Sequence, residues 1–358
     1  MIVKSGQHGG NTRQMAQQFH LDENKLMDFS ANINPNGMPP YLKAMIIQHL
    51  DKAEHYPDID YHNLYRSLAS HCRQNPENIL AGNGATELIY DWVTAISPRK
   101  ALLVEPSFGE YRRALTQAGC DIRTHSLSEA HQFQVTRDIL DVLTDDIDCL
   151  FLCTPNNPTG QLIEPSLLAD IIDVCEKRHI HLMLDESFMD FVPDVPSSAH
   201  SLARSAYLTI LRSLTKYFAI PGLRLGYLLS GNTALITKML TYQKPWTINT
   251  FAAIAGEHIF SDPDYQRITT QWLQTQQAYL YEAMNQIPGI TVWKPSANYV
   301  FFKLNADSVD LQKALLAHHI LIRSCENYIG LSRHFYRVAI RSPEDNQHLV
   351  SALKLVLN

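Results

Sequence analysis

The chain has 358 residues, of which 45 % are hydrophobic and 18 % charged, enough to bury a full α/β core beside a smaller domain and too apolar for a disordered chain. A formal net charge of −6 argues against a basic face for nucleic acid or an anionic membrane surface. No window approaches the roughly 20 apolar residues of a membrane span, and the run MIVKSGQH at 1–8 lacks an apolar core of signal-peptide length, so a cytoplasmic protein is expected.

From about residue 79 to 229, apolar strand-like runs alternate with helical stretches, the pattern of βαβ units and a mostly parallel sheet. The run GNGATE at 82–87 follows the apolar Ile79 and Leu80 and opens an amphipathic stretch over 86–96. The amides of Gly84, Ala85 and Thr86 can therefore face an anion at a helix start. Strands are expected at 100–105, 149–153, 181–184, 207–211 and 223–229. TPNNPTG at 154–160 follows one of them; Asn157 there can donate its side-chain amide, and Asn157–Pro158 is a candidate cis bond. Asp185 closes the apolar run HLML, at the strand end where open α/β sheets line a ligand crevice. Taken alone, it reads more readily as a helix cap. SLTKYFAIPGLRLG at 213–226 carries Ser213, Lys216 and Arg224. Past Trp246 the chain turns helical over 252–286, then shows strand-like 289–293 and 299–304, consistent with a second α+β domain joined by a long helix. The six cysteines, at 72, 120, 149, 153, 175 and 325, form no CxxC pair and read as packed free thiols. His179 with His181 and His318 with His319 read as packed or solvated residues, and no metal is expected.

These runs converge on one chemistry. A lysine that forms a Schiff base needs a lowered pKa, which burial and neighbouring cations supply, and a carbonyl held beside it. Pyridoxal 5′-phosphate is the carbonyl compound that fits. Its ring is an electron sink only while the pyridine nitrogen is protonated, so a carboxylate must sit against that nitrogen, and Asp185 is the candidate. Arg224 and the Ser213 hydroxyl can complete a phosphate cradle begun by the glycine-rich turn. Asn157 can donate to the ring's phenolate oxygen. Singly each run is a turn or a surface residue; four in this order form a specific signal.

With these runs the chain resembles the fold-type I pyridoxal-phosphate enzymes, in the histidinol-phosphate aminotransferase-like branch, over nearly its whole length. The resemblance implies an α/β fold: a large domain with a mostly parallel sheet flanked by helices, and a smaller α+β domain. It implies an N-terminal arm with part of the small domain over 1–45, a large cofactor domain over 46–245 and a small C-terminal domain over 246–358. By position it makes Lys216 the Schiff-base lysine, Asp185 the pyridinium partner, Asn157 the phenolate partner, and Gly84, Ala85, Thr86, Ser213 and Arg224 the phosphate cradle, with Phe108 stacked on the ring face. Tyr56, in HYPDID at 55–60, matches a position whose hydroxyl reaches the neighbouring subunit's cofactor phosphate, which implies a homodimer with composite sites; a locally packed loop tyrosine is the alternative.

HGGN at 8–11, DFSANINPNGMP at 28–39, LIRSCENYIGL at 321–331 and YRVAIRS at 336–342 are similar to the members of that branch that decarboxylate L-threonine-O-3-phosphate, giving (R)-1-amino-2-propanol phosphate and CO2 for the aminopropanol linker of cobalamin. Arg323 and Arg337 then become the candidates for the substrate's two anions, helped by His8, Gly9, Asn32 and Asn157. Which arginine takes carboxylate and which takes phosphate stays open, and His8 alternatively belongs to a mobile tail. Where the aminotransferases commonly carry a tyrosine donating to the phenolate oxygen, this chain has Phe188. The second reading is an aminotransferase for a phosphorylated amine of the histidinol-phosphate type, since both activities share every cofactor residue. A third, a non-catalytic regulator, needs an added DNA-binding module, and family-like residues begin already at His8.

Overall fold

The computed structural model describes residues 8–305 and 309–357; residues 1–7, part of the run assessed for a leader, lie outside the described residues. Among the described residues thirteen strands occur in chain order. They are β1 Met27–Asp28, β2 Ile79–Gly82, β3 Lys100–Glu105, β4 Asp121–Ser126, β5 Cys149–Cys153, β6 His181–Asp185, β7 Leu208–Ser213, β8 Gly226–Ser230, β9 Ile290–Val292, β10 Tyr299–Leu304, β11 Ile320–Leu321, β12 Arg323–Ser324 and β13 Phe335–Ala339.

Seven of them form one sheet in the order β2-β8-β7-β6-β5-β3-β4. The run from β7 to β4 is parallel throughout, while β8 lies antiparallel to both β7 and β2. The inner strands are apolar on both faces because helices cover both. Leu102, Leu150, Leu182 and Leu208 point into one core, whereas their chain neighbours Leu103, Phe151 and Met183 point into the other, around Trp92 and Leu88. The first of these cores continues into the residues behind a second, four-stranded antiparallel sheet of order β12-β13-β10-β9. A two-stranded parallel ribbon, β1 with β11, ties the N-terminal region to that end of the molecule.

The expected strands form, with shifted bounds where backbone chemistry intervenes. The strand expected at 223–229 starts only at Gly226, because Arg224 sits at φ +61° and cannot join an extended ladder. The strand expected at 207–211 runs on to Ser213, and the one expected at 289–293 is trimmed to Ile290–Val292. The helix expected over 252–286 is two helices, Thr250–His258 and Pro263–Asn285. The break falls at Pro263, which lacks an amide to continue the first helix, and Asp262 caps the second by accepting from the Tyr265 amide. Strand β4 is an addition: its sequence, DIRTHS, is a largely exposed edge with no apolar pattern. Among the described residues no helix is long and apolar enough to cross a membrane.

Candidate active site

The neighbouring parallel strands β5, β6 and β7 end on one edge, at Cys153, Asp185 and Ser213, and the loops that follow enclose a cavity of about 490 Å³. Ala85, Thr86, Phe108, Asn157, Asp185 and Ser213 line it. So do Lys216, Arg224, His8 and Gly9. The fold thus gathers ten of the sequence candidates around one space.

Lys216 Nζ donates to Ser213 Oγ at 2.9 Å, and that hydroxyl also meets Thr215 Oγ1 at 2.8 Å. The amine stays partly accessible from the cavity, yet burial is the main force pushing its pKa down; Arg224 and Arg337 push the same way and the Asp185 carboxylate opposes them. A lysine with a lowered pKa offers the neutral nucleophilic amine a Schiff base requires. Phe188 lies with its ring 5.5 Å from Nζ and packs edge-on against Tyr299, so the position occupied by tyrosine in related aminotransferases brings no hydroxyl here.

Asp185 is held from two sides. Oδ1 accepts from the Ser187 amide at 2.8 Å, the capping contact, and Oδ2 accepts from Tyr111 Oη at 2.5 Å. A carboxylate has about four lone-pair sites, so both oxygens keep capacity for a further donor.

The helix Ala85–Ile96 begins at Gly84, with φ +80° and no side chain capping its first amides. A Cβ at Gly84 would stand 2.6 Å from Arg224 Nη2, and one at Gly226 would stand 2.5 Å from the Ala85 amide nitrogen. Only glycines let strand, helix start and guanidinium approach this closely. Uncapped amides at the positive end of a twelve-residue helix beside an arginine form an anion site.

Asn157 Oδ1 accepts from Tyr328 Oη at 3.1 Å and from Arg337 Nη1, which leaves Nδ2 as the donor of this amide. The Asn157–Pro158 bond is cis, as are Thr154–Pro155 and Glu105–Pro106, which the sequence did not single out. Arg337 also donates from Nη2 to the Ser30 carbonyl at 2.9 Å and lies over the Tyr299 ring at 5.4 Å. With its amide oxygen turned toward Arg337, Asn32 accepts from Nε and Nη1 at 3.3 Å. Directly across the β12–β13 ladder stands Arg323, whose Nη2 donates to Asn327 Oδ1 at 2.8 Å and whose guanidinium lies over Tyr328 at 5.4 Å. Each arginine is only 5 % exposed. Like charges paired directly across a ladder oppose folding unless neighbours or bound groups offset them.

The N-terminal arm closes the ring of residues. His8 Nε2 pairs with Glu110 Oε1 at 2.9 Å, its ring 5.7 Å from Phe108, and Glu110 Oε2 accepts from Tyr90 Oη at 2.7 Å. Gly9 packs so closely on Ser30 that a Cβ would stand 2.0 Å from the Ser30 carbonyl oxygen. Tyr56 lies apart from the cavity, 78 % exposed and stacked on Trp246 at 4.3 Å. Sequence reasoning did not single out Tyr111, Glu110 or Tyr299, nor Thr215 and Tyr328 within the runs 213–226 and 321–331; their contacts arise only through the fold.

The donor set fits pyridoxal 5′-phosphate: a buried carboxylate for the ring nitrogen, a lysine with lowered pKa, an amide donor, and a glycine cradle at a helix start. Fold and site define a pyridoxal-phosphate-dependent enzyme of the α/β class. The chain belongs to the aminotransferase class I and II family, whose family model matches residues 24–353. It is 47 % identical to the threonine-phosphate decarboxylase of Salmonella typhimurium over 100 % of this chain and 98 % of that protein. It is 30 % identical to the adenosylcobalamin biosynthesis bifunctional protein CobDQ of Leptospira interrogans over 97 % of this chain and 40 % of that one. Among solved structures, the histidinol-phosphate aminotransferase from Clostridium acetobutylicum superposes with a TM-score of 0.88 at 32 % identity, covering 93 % of this chain and 99 % of that one.

The cradle geometry yields a direct test. Gly84→Ala should keep the fold by circular dichroism but weaken cofactor binding by about tenfold or more, about 1.4 kcal/mol, because the new Cβ meets Arg224. Unchanged affinity in a cofactor titration would remove Gly84 from the phosphate site.

Proposed function

We propose that this enzyme decarboxylates L-threonine-O-3-phosphate to (R)-1-amino-2-propanol phosphate and CO2, the aminopropanol unit of cobalamin. The observation that carries the reading is the pair of buried arginines, Arg323 and Arg337, opposite one another behind the cavity residue Asn157, which Arg337 holds directly and to which Tyr328, under Arg323, donates. Phosphothreonine brings two anions, one for each. A phosphorylated amine of the histidinol-phosphate type carries a phosphate and no carboxylate, so that substrate presents one anion to the pair where phosphothreonine presents two. The 47 % identity to a threonine-phosphate decarboxylase over the whole chain supports the same choice.

The residues divide the work. Bound pyridoxal phosphate supplies a sink for the electron pair left at Cα when CO2 departs. Gly84, Ala85, Thr86, Ser213 and Arg224 would hold the cofactor phosphate, Phe108 would cover the ring, Asp185 would keep a proton on the ring nitrogen, and the Asn157 amide would donate to the phenolate oxygen. Lys216 Nζ, its pKa lowered chiefly by burial, would exchange protons with the substrate amine and Cα. Arg337 and Arg323, with His8, Gly9 and Asn32, fix the two substrate anions so that the Cα–carboxylate bond stands perpendicular to the ring, the orientation that selects this bond over Cα–H. Arg337 grips Asn157 Oδ1, so the substrate anchor and the phenolate donor are set by one contact.

The protein incubated with phosphothreonine, and with no 2-oxo acid, should release CO2; absence of CO2 alongside amine transfer to 2-oxoglutarate would favour the aminotransferase. Borohydride added before substrate should abolish the reaction and leave a pyridoxyl group on Lys216 by peptide mapping, and a label on another lysine would overturn the assignment. Arg337→Lys keeps the charge but loses the planar fork, so kcat/KM should fall more than about tenfold, about 1.4 kcal/mol of transition-state stabilisation. Single-turnover spectra should then show slow conversion of the cofactor to its amine form, the product of misorientation; full rate with a clean product would refute the anchoring role.

A homodimer completes this reading. Tyr56, exposed in the single chain, reaches the phosphate of a second copy's cofactor. Sedimentation should give a dimer and Tyr56→Phe should weaken cofactor binding, whereas an active monomer would contradict it.

A further inference from the structure

Tyr111 lies on the helix Gly109–Gln117, which starts just after Phe108, and its side chain is 1 % exposed. Its hydroxyl donates to Asp185 Oδ2 at 2.5 Å. Its ring stacks on Phe151 at 5.1 Å and 25°, and meets the edge of Phe108 at 5.6 Å and 81°. One side chain therefore touches both residues assigned to the cofactor ring, the carboxylate for its nitrogen and the phenyl group over its face.

We propose that Tyr111 is a positioning residue that sets how firmly Asp185 leaves the proton on the cofactor's ring nitrogen, and so how strong the electron sink is. The inference rests on the reading of Asp185 as the ring-nitrogen partner. A buried carboxylate deprived of water becomes a stronger base unless donors replace the lost hydration. Ser187 supplies one donor and Tyr111 the other. The direction of the second bond is fixed, because burial, reinforced by the Asp185 charge, pushes the Tyr111 hydroxyl well above the usual tyrosine range, and the phenol stays protonated. The other titratable groups that face the pair are Cys153 from β5, Tyr299 from β10 and Lys216 from the loop after β7. Cys153, itself pushed up by burial, stays a neutral thiol, so Tyr111 is the strong neutral donor to this carboxylate. Without its hydroxyl, Asp185 draws the ring proton toward itself, the ring withdraws fewer electrons, and the nitrogen joining Lys216 to the cofactor becomes more basic.

Tyr111→Phe removes the hydroxyl and keeps both ring contacts. In the holoenzyme, pH titration of the cofactor absorbance should show the midpoint for the Lys216–cofactor nitrogen moved upward by about half a unit or more. The kcat for phosphothreonine should fall about three- to tenfold with KM within about twofold. Replacing Tyr111 by 3-fluorotyrosine, a stronger donor of almost the same shape, should move the midpoint downward, which tests the idea even if the phenylalanine variant folds poorly. An unmoved midpoint in both proteins would overturn the proposal. A loss confined to thermal stability and cofactor affinity, with midpoint and kcat intact, would also overturn it by making Tyr111 a packing residue. Asp185→Asn is the control: if it too leaves midpoint and kcat unchanged, the reading of Asp185 has failed, and not the coupling of Tyr111 to it.

Discussion

Two guanidiniums held opposite each other, each almost without water, are the constraint around which the rest of the site is arranged. Arg323 and Arg337 repel across the β12–β13 ladder, and neighbours temper that cost. Tyr328 and Tyr299 offer ring faces, Asn157, Asn32 and Asn327 offer amide oxygens, and the Ser30 carbonyl takes one donor. Neutral acceptors quench less charge than carboxylates do. Among the described residues Arg337 has no carboxylate partner, so a large part of its field remains to act on whatever enters the cavity. The same field reaches Lys216, where Arg337 helps to lower the amine's pKa. The field of Arg337 in the cavity and its smaller contribution to the lysine's lowered pKa, set chiefly by burial, thus come from one charge.

The parts of the site legible in the sequence are those where the chemistry demands an unusual residue. Gly84 is visible because only a glycine lets the helix start and Arg224 approach as they do, and the asparagines of 154–160 because a plain turn needs fewer amides. Asp185 and Lys216 are visible through the strand or loop signals beside them. The parts that were not legible are ordinary residues in unusual company. Tyr111 reads as one more core aromatic on an amphipathic helix, and nothing in SFGEY says that its hydroxyl ends on a carboxylate 74 positions later in the chain. Glu110 reads as a surface residue, yet it is buried and holds His8.

The fold was legible to a similar degree and for similar reasons. Inner strands such as β5 and β6 are continuous apolar runs because both faces are covered, and they announce themselves. Strand β4 is polar and lies at an edge, where it needs only one neighbour and no core, so pattern reasoning passes over it. The late start of β8 has a local cause, the left-handed backbone at Arg224, which periodicity does not register.

Strand β12 is only two residues long, and the pairing of Arg323 with Arg337 rests on that short ladder at the end of a ten-residue connection, 325 to 334. Side chains alternate between the faces of a sheet, so a one-residue slip of β12 against β13 would turn Arg323 to the opposite face while leaving the cavity lined from β5, β6 and β7 in place. The placing of Arg323 is therefore exposed to strand register in a way that the cavity residues on the longer parallel strands are not. A change of register in this one short hairpin would alter the charge behind the cavity without replacing any residue that lines it.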